Sequence, residues 1–85
     1  MEQFTYVIKD SAGLHARPAG LLVKKASAYS SNIILKIREK SADIHRIFAV
    51  LALGAKKGDT ITVQIDGPDE KNVLNDLKAF FESYL

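Results

Sequence analysis

The sequence has 85 residues, 47% of them hydrophobic, with a net charge of +2 and no cysteine. That length fits one domain over residues 1–85, above the size at which disulfides or metals usually replace a core. The missing cysteines exclude a disulfide framework, thiolate catalysis and thiolate metal sites. The small positive charge, spread along the chain rather than collected in a basic block, favours an acidic protein partner over nucleic acid.

At the N-terminus, Met1-Glu2-Gln3-Phe4-Thr5-Tyr6 lacks a basic segment followed by an apolar run, and nothing in the chain approaches the ~20 apolar residues of a membrane span. The expectation is a cytoplasmic protein with no direct membrane insertion. Phe4, Tyr6 and Ile8 alternate with Thr5, Val7 and Lys9, the period of a half-buried strand, which Asp10-Ser11-Ala12-Gly13 breaks. Pro18 is tolerated in the first turn of a helix, where its missing N–H has no intrahelical partner. After it, Ala19, Leu22, Val23 and Ala26 recur at helical spacing, predicting a helix over 16–28 with His15 at or beside its N-cap. Ser30-Ser31-Asn32 supplies a polar turn before Ile33, Leu35 and Ile37 alternate as a second strand. Glu39-Lys40 then turns a hairpin into a short strand through Ala42 and Ile44. The apolar run Ile47–Leu53 ends at Gly54, as a short helix with a glycine C-cap would. Ile61, Val63 and Ile65 alternate with Thr60, Thr62 and Gln64 as a fourth strand, stopped by Gly67-Pro68. Asp69 can cap a last helix whose Val73, Leu74, Leu77, Phe81 and Tyr84 form one apolar stripe, assigned to the core. The order β-α-β-β-α-β-α predicts an α+β fold of the split βαβ kind, an antiparallel sheet with its helices on one face.

The chemistry centres on His15. The first-turn N–H groups of a helix point outward, and that end carries roughly half a positive elementary charge. An anion carried by His15 would meet the amides of Ala16 and Arg17, the helix dipole and the planar fork of the Arg17 guanidinium together. Imidazole is a nucleophile, so the arrangement suits a covalent phosphate on His15. A His-x-Arg tripeptide alone is common by chance and reads as a surface cap beside a solvated arginine. The full string from Gly13 to Ala19, placed between a strand and a helix, is far more specific.

Gly13-Leu14-His15-Ala16-Arg17-Pro18-Ala19, at that position in a chain of 85 residues, resembles the histidine-containing phosphocarrier (HPr) family of the bacterial phosphoenolpyruvate:sugar phosphotransferase system. Val50-Leu51-Ala52-Leu53-Gly54-Ala55-Lys56-Lys57-Gly58-Asp59 resembles that family's second short helix and following loop, and Gly67-Pro68-Asp69-Glu70 the start of its last helix. The resemblance covers nearly the whole chain. It implies an HPr-like open-faced β-sandwich, a four-stranded antiparallel sheet with three helices on one face. It also implies a phosphocarrier rather than an enzyme, without cofactor or metal and monomeric, in which His15 takes phosphate as the Nδ1 (pros) phosphohistidine from enzyme I. The group then passes to IIA components of sugar permeases. Arg17 and the amides of Ala16 and Arg17 would hold the phosphate, completed by Gly54 from a loop. Gly20, Leu21 and Lys24 of the first helix, with Arg46, Ile47, Phe48 and Leu51 of the second, would form the docking face, an apolar patch rimmed by cations including Lys56.

Two residues depart from the family pattern. Many relatives carry a phosphorylatable serine where this chain has Arg46, and Ser41 belongs to the preceding strand or turn, so that serine-based control is not expected here. Arg46 is instead expected to steer acidic partners. Ala12 stands where relatives often place a serine or asparagine near the histidine. His45 has no cysteine partners and no metal spacing, and reads as structural. The alternatives are a carrier of the nitrogen-related phosphotransfer branch and a non-phosphorylated regulatory module of the same fold, against which the retained His15 and Arg17 argue. A nucleic-acid-binding domain would need an aromatic RNA-binding signature or a basic cluster, and the sequence has neither.

Overall fold

The computed structural model describes residues 1–85 as β1 (Glu2–Val7), α1 (Ala16–Ala26), β2 (Asn32–Ile37), β3 (Lys40–Asp43), α2 (Ile47–Ala52), β4 (Thr60–Asp66) and α3 (Glu70–Tyr84). The four strands form one sheet in the order β1-β4-β2-β3, every neighbouring pair antiparallel. The alternation legible in the sequence becomes the two faces of this sheet. Phe4, Val63, Leu35 and Ala42 stand in register across all four strands and are all buried, while Thr5, Lys36 and Ser41 on the opposite face are exposed. The three helices cover the buried face, the split βαβ arrangement expected from the element order. Each large apolar side chain removed from water there contributes about 1.5–3 kcal/mol.

Helix α1 buries Ala19, Leu22 and Ala26 and half-buries Val23. It ends at Ala26 rather than near residue 28, where the Ser27 hydroxyl donates to the Lys24 carbonyl (2.6 Å) and the chain turns away. Short α2 closes at Gly54, which takes a φ of +64° and donates its N–H to the Leu51 carbonyl (3.1 Å), the glycine stop expected there. Phe81 of α3 meets Phe4 and Tyr6 edge-on, with 5.6 Å between ring centroids in each case, which fixes α3 over β1. No helix is long and apolar enough to cross a membrane.

Three local expectations need correction. The β2–β3 turn is Arg38-Glu39, with Lys40 already in β3. Arg38 adopts a φ of +53°, uncommon for a residue with a side chain, and its guanidinium reaches Asp59 (3.0 Å). The Lys56 N–H, followed by Arg38, holds the Asp59 carboxyl below the usual carboxylate range. Asp69 occupies the N-cap of α3, and its carbonyl accepts the Val73 N–H (3.0 Å), but its carboxylate makes no capping bond: it accepts the hydroxyl of buried Ser31 and the Ser30 N–H (2.8 Å) instead. A tertiary use has displaced the local one. Tyr84 is 47% exposed, while Phe80, absent from the predicted stripe, is buried. Tyr84 lies in the last turn of α3 and stacks on Phe80 (4.6 Å), so the earlier ring takes the core position and the later one covers it.

Candidate functional site

The loop from β1 to α1 is held at three points. The Lys9 and Asp10 N–H groups both donate to the main-chain oxygen of Leu85 (2.5 and 2.7 Å), the Asp10 carbonyl accepts the Gly13 N–H (3.0 Å), and Leu14 donates to the Ala55 carbonyl (3.0 Å). Gly13 has a φ of +66°, and a Cβ there would lie 2.3 Å from the Ala55 oxygen. Only glycine lets the loop lie this close to the segment after α2. Leu14 is buried beside it, so His15 stands on an anchored backbone with its side chain 47% exposed.

His15 is the N-cap of α1, with extended backbone, and its carbonyl accepts the Ala19 N–H (3.0 Å). Its imidazole makes no capping bond, no acidic residue occupies the first turn, and Pro18 has no N–H. The N–H groups of Ala16 and Arg17 therefore have no acceptor within the protein. The Arg17 side chain is exposed and forms no ion pair. Two amides without an acceptor thus open the helix that His15 caps, and Arg17, two residues on, carries an unpaired guanidinium, a set of donors that can hold the oxygens of an anion. Asp10 adds an opposite charge that sequence reasoning missed: its Oδ2 lies 4.0 Å from His15 Nε2 and accepts the Ala12 N–H (3.0 Å). No motif marks Asp10; only the folded loop brings it to the ring.

Gly54 is exposed, but its N–H is already bonded to Leu51, so it shapes the loop whose Ala55 carbonyl holds Leu14. The other expected residues lie on α1 and α2. A Cβ on Gly20 would be 3.9 Å from Ile47 Cδ1, which marks the approach of the two helices. Phe48 is 83% exposed, Leu21 borders on exposed, and Ile47 and Leu51 are half-buried. Arg17, Lys24, Arg46 and Lys56 are exposed, and none is ion-paired. Leu21 and Lys24 also turn toward a groove of about 760 Å³ between α1 and α3, lined further by Tyr29, Phe80 and Tyr84. His15 is not part of this groove. An open position of this kind suits exchange with another macromolecule better than enclosure of a small substrate.

His45 is structural, as its spacing suggested: Nδ1 pairs with Asp43 (3.0 Å) and Nε2 with the Ala26 carbonyl (3.1 Å), joining the end of α1 to the segment after β3. The His45 N–H, with its ring second among the stabilising contacts, holds the Asp43 carboxyl below the usual range. No group of three or more His, Asp or Glu side chains is placed to hold a metal ion.

Over residues 2–83 the chain matches the family described as PTS HPr component phosphorylation site. It is 42% identical over 78 residues to the phosphocarrier protein HPr of Mycoplasma capricolum, covering 92% of this chain and 88% of that protein. Among solved structures, a Mycoplasma histidine-containing phosphocarrier superposes with a TM-score of 0.90 at 40% identity, covering 93% of this chain and 90% of the other. An HPr from Thermoanaerobacter tengcongensis superposes with a TM-score of 0.92 at 35% identity, covering 98% and 93%.

Proposed function

The chain belongs to the HPr family, the phosphocarriers of the phosphotransferase system, and from that premise we propose that its His15 takes a phosphoryl group from enzyme I and passes it to IIA components of sugar permeases in the cytoplasm. The observation that carries this reading is the set of unpaired donors, the Ala16 and Arg17 N–H groups and the Arg17 guanidinium, beside an exposed and anchored imidazole.

The chemistry follows from that placement. A lone pair of the His15 ring attacks phosphorus as the bond to the donor's nitrogen breaks and its electron pair returns to the donor. Delivery reverses these roles. Such transfer depends on positioning and on neutralising charge spread over the equatorial oxygens. The Ala16 and Arg17 amides supply fixed dipoles and Arg17 a mobile, always-charged fork. Gly54 serves by shaping the neighbouring loop. The site's openness leaves the group reachable by the next protein, which a carrier needs and an enclosed pocket would deny.

Docking falls to the surface around it. Phe48 and Leu21 offer apolar centres, Gly20, Ile47 and Leu51 the floor, and Arg17, Lys24, Arg46 and Lys56 a cationic rim that speeds encounter with acidic partners. Incubation with enzyme I and phosphoenolpyruvate should add one acid-labile phosphate per chain, and His15→Ala should add none. A His15→Ala chain that still takes up phosphate refutes the assignment.

A further inference from the structure

We propose that Asp10 is a positioning residue for His15: its carboxylate keeps the ring proton on Nε2, and so leaves Nδ1 as the nitrogen that exchanges the phosphoryl group. The inference rests on His15 as the acceptor and specifies how its ring is prepared. The geometry is Asp10 Oδ2 at 4.0 Å from His15 Nε2, the one carboxylate within ion-pair distance of this ring. Asp10 is itself held at its N–H, its carbonyl and one carboxylate oxygen. Its N–H donates to the Leu85 main-chain oxygen, its carbonyl accepts the Gly13 N–H, and its Oδ2 accepts the Ala12 N–H. Position 12 contributes a backbone donor that aims Asp10.

A neutral imidazole carries one N–H and one nitrogen lone pair, so fixing the proton on Nε2 places the lone pair on Nδ1. When Nδ1 bonds to phosphorus and the donor's P–N bond breaks, Nε2 keeps its proton and the ring becomes positive beside the Asp10 carboxylate. On delivery the electron pair of the P–Nδ1 bond returns to the ring, and the neutral Nε2–H imidazole is restored. No proton enters or leaves in either direction. Asp10 therefore answers the charge on the ring, while Arg17 and the two amides answer the charge on the phosphoryl group. The division resembles that of other imidazole sites in which a carboxylate fixes the tautomer of a reacting or metal-binding ring.

The test uses the full chain labelled with ¹⁵N in histidine. Asp10→Asn keeps an oxygen for the Ala12 N–H and removes the charge; Asp10→Ser does the same with a hydroxyl and guards against a fault peculiar to one variant. In the unphosphorylated wild type above neutral pH, nitrogen shifts should report His15 almost wholly as the Nε2–H form, with a smaller share in both variants. Delivery of phosphate from His15 to a IIA domain should slow about fivefold, the difference between a charged and a neutral partner. Wild-type tautomer shares in both variants overturn the proposal, whether or not delivery slows, because the effect would not run through the proton. Failure of wild-type His15 to accept phosphate would instead count against the carrier reading, while the tautomer shares still decide the role of Asp10.

Discussion

The two long helices begin in opposite ways. At α3 the acidic groups around the helix start are used within the fold: Asp69 takes the Ser31 hydroxyl and Ser30 N–H, and Glu70 takes the Gly67 N–H (3.2 Å) and the N-terminal ammonium of Met1 (2.9 Å). At α1 there is no acid in the first turn and two amides are left without acceptors. The same resource, a cluster of polar groups at the positive end of a helix, is committed to stability in one place and left free in the other. Function at α1 thus depends on what the chain withholds from it.

That contrast can be attacked by substitution. The largest effect is expected at Gly13, whose anchored loop supports the open end: Gly13→Ala combines a left-handed backbone with a 2.3 Å approach to the Ala55 oxygen. It should cost about 2–4 kcal/mol of stability in urea titration, and phosphate transfer should fall with it. Arg17→Ala should separate function from folding. Losing a charge-assisted contact to phosphate predicts transfer slower by about ten- to a hundredfold in rapid-quench measurements, with stability changed by less than about 0.5 kcal/mol. Loss of stability comparable to that of Gly13→Ala would show that Arg17 is structural after all.

The smallest effect is expected at α3. Asp69→Asn should lower the thermal midpoint by about 5 °C and leave transfer at the wild-type rate. Its pH dependence gives a second check. The Ser31 hydroxyl, followed by the Ser30 N–H, holds the Asp69 carboxyl below the usual carboxylate range. Its contribution is therefore complete above that range and is lost as pH falls through the lowered value. Wild type and variant should differ at pH 7 and converge in strong acid, and a gap that persists there would show that the charge is not what matters.

The strands were legible because one face of each is buried, so the period of two survives in the residues themselves; β4 shows it without a break, and in β2 only Ile34 interrupts it. The Gly54 stop was legible because it needs only local backbone geometry. What escaped notice depends on residues distant in sequence. Asp69 looked like a cap because a capping aspartate and one bonded to Ser31 are identical as letters. Tyr84 has the spacing of the α3 stripe, but it lies in the last turn, where Phe80 already fills the core. At the site, His15, Ala16 and Arg17 were found because the motif is contiguous. The buried Leu14, the Ala55 carbonyl and the Leu85 clasp were not, since each joins the loop to another part of the chain.

The sheet order has a temporal consequence. β1 pairs only with β4, so Glu2 lies opposite Ile65 and Val7 opposite Thr60, and the closure entropy of the whole stretch between Val7 and Thr60 must be overcome before the first strand gains a neighbour. The β2–β3 hairpin and the helices can form from nearby residues, but the loop that presents His15 hangs between β1 and α1 and gains its long-range anchors only from Ala55 and Leu85. During synthesis the first seven residues wait until β4 has been made. The most local motif in the sequence is thus among the last parts of the molecule to acquire its shape.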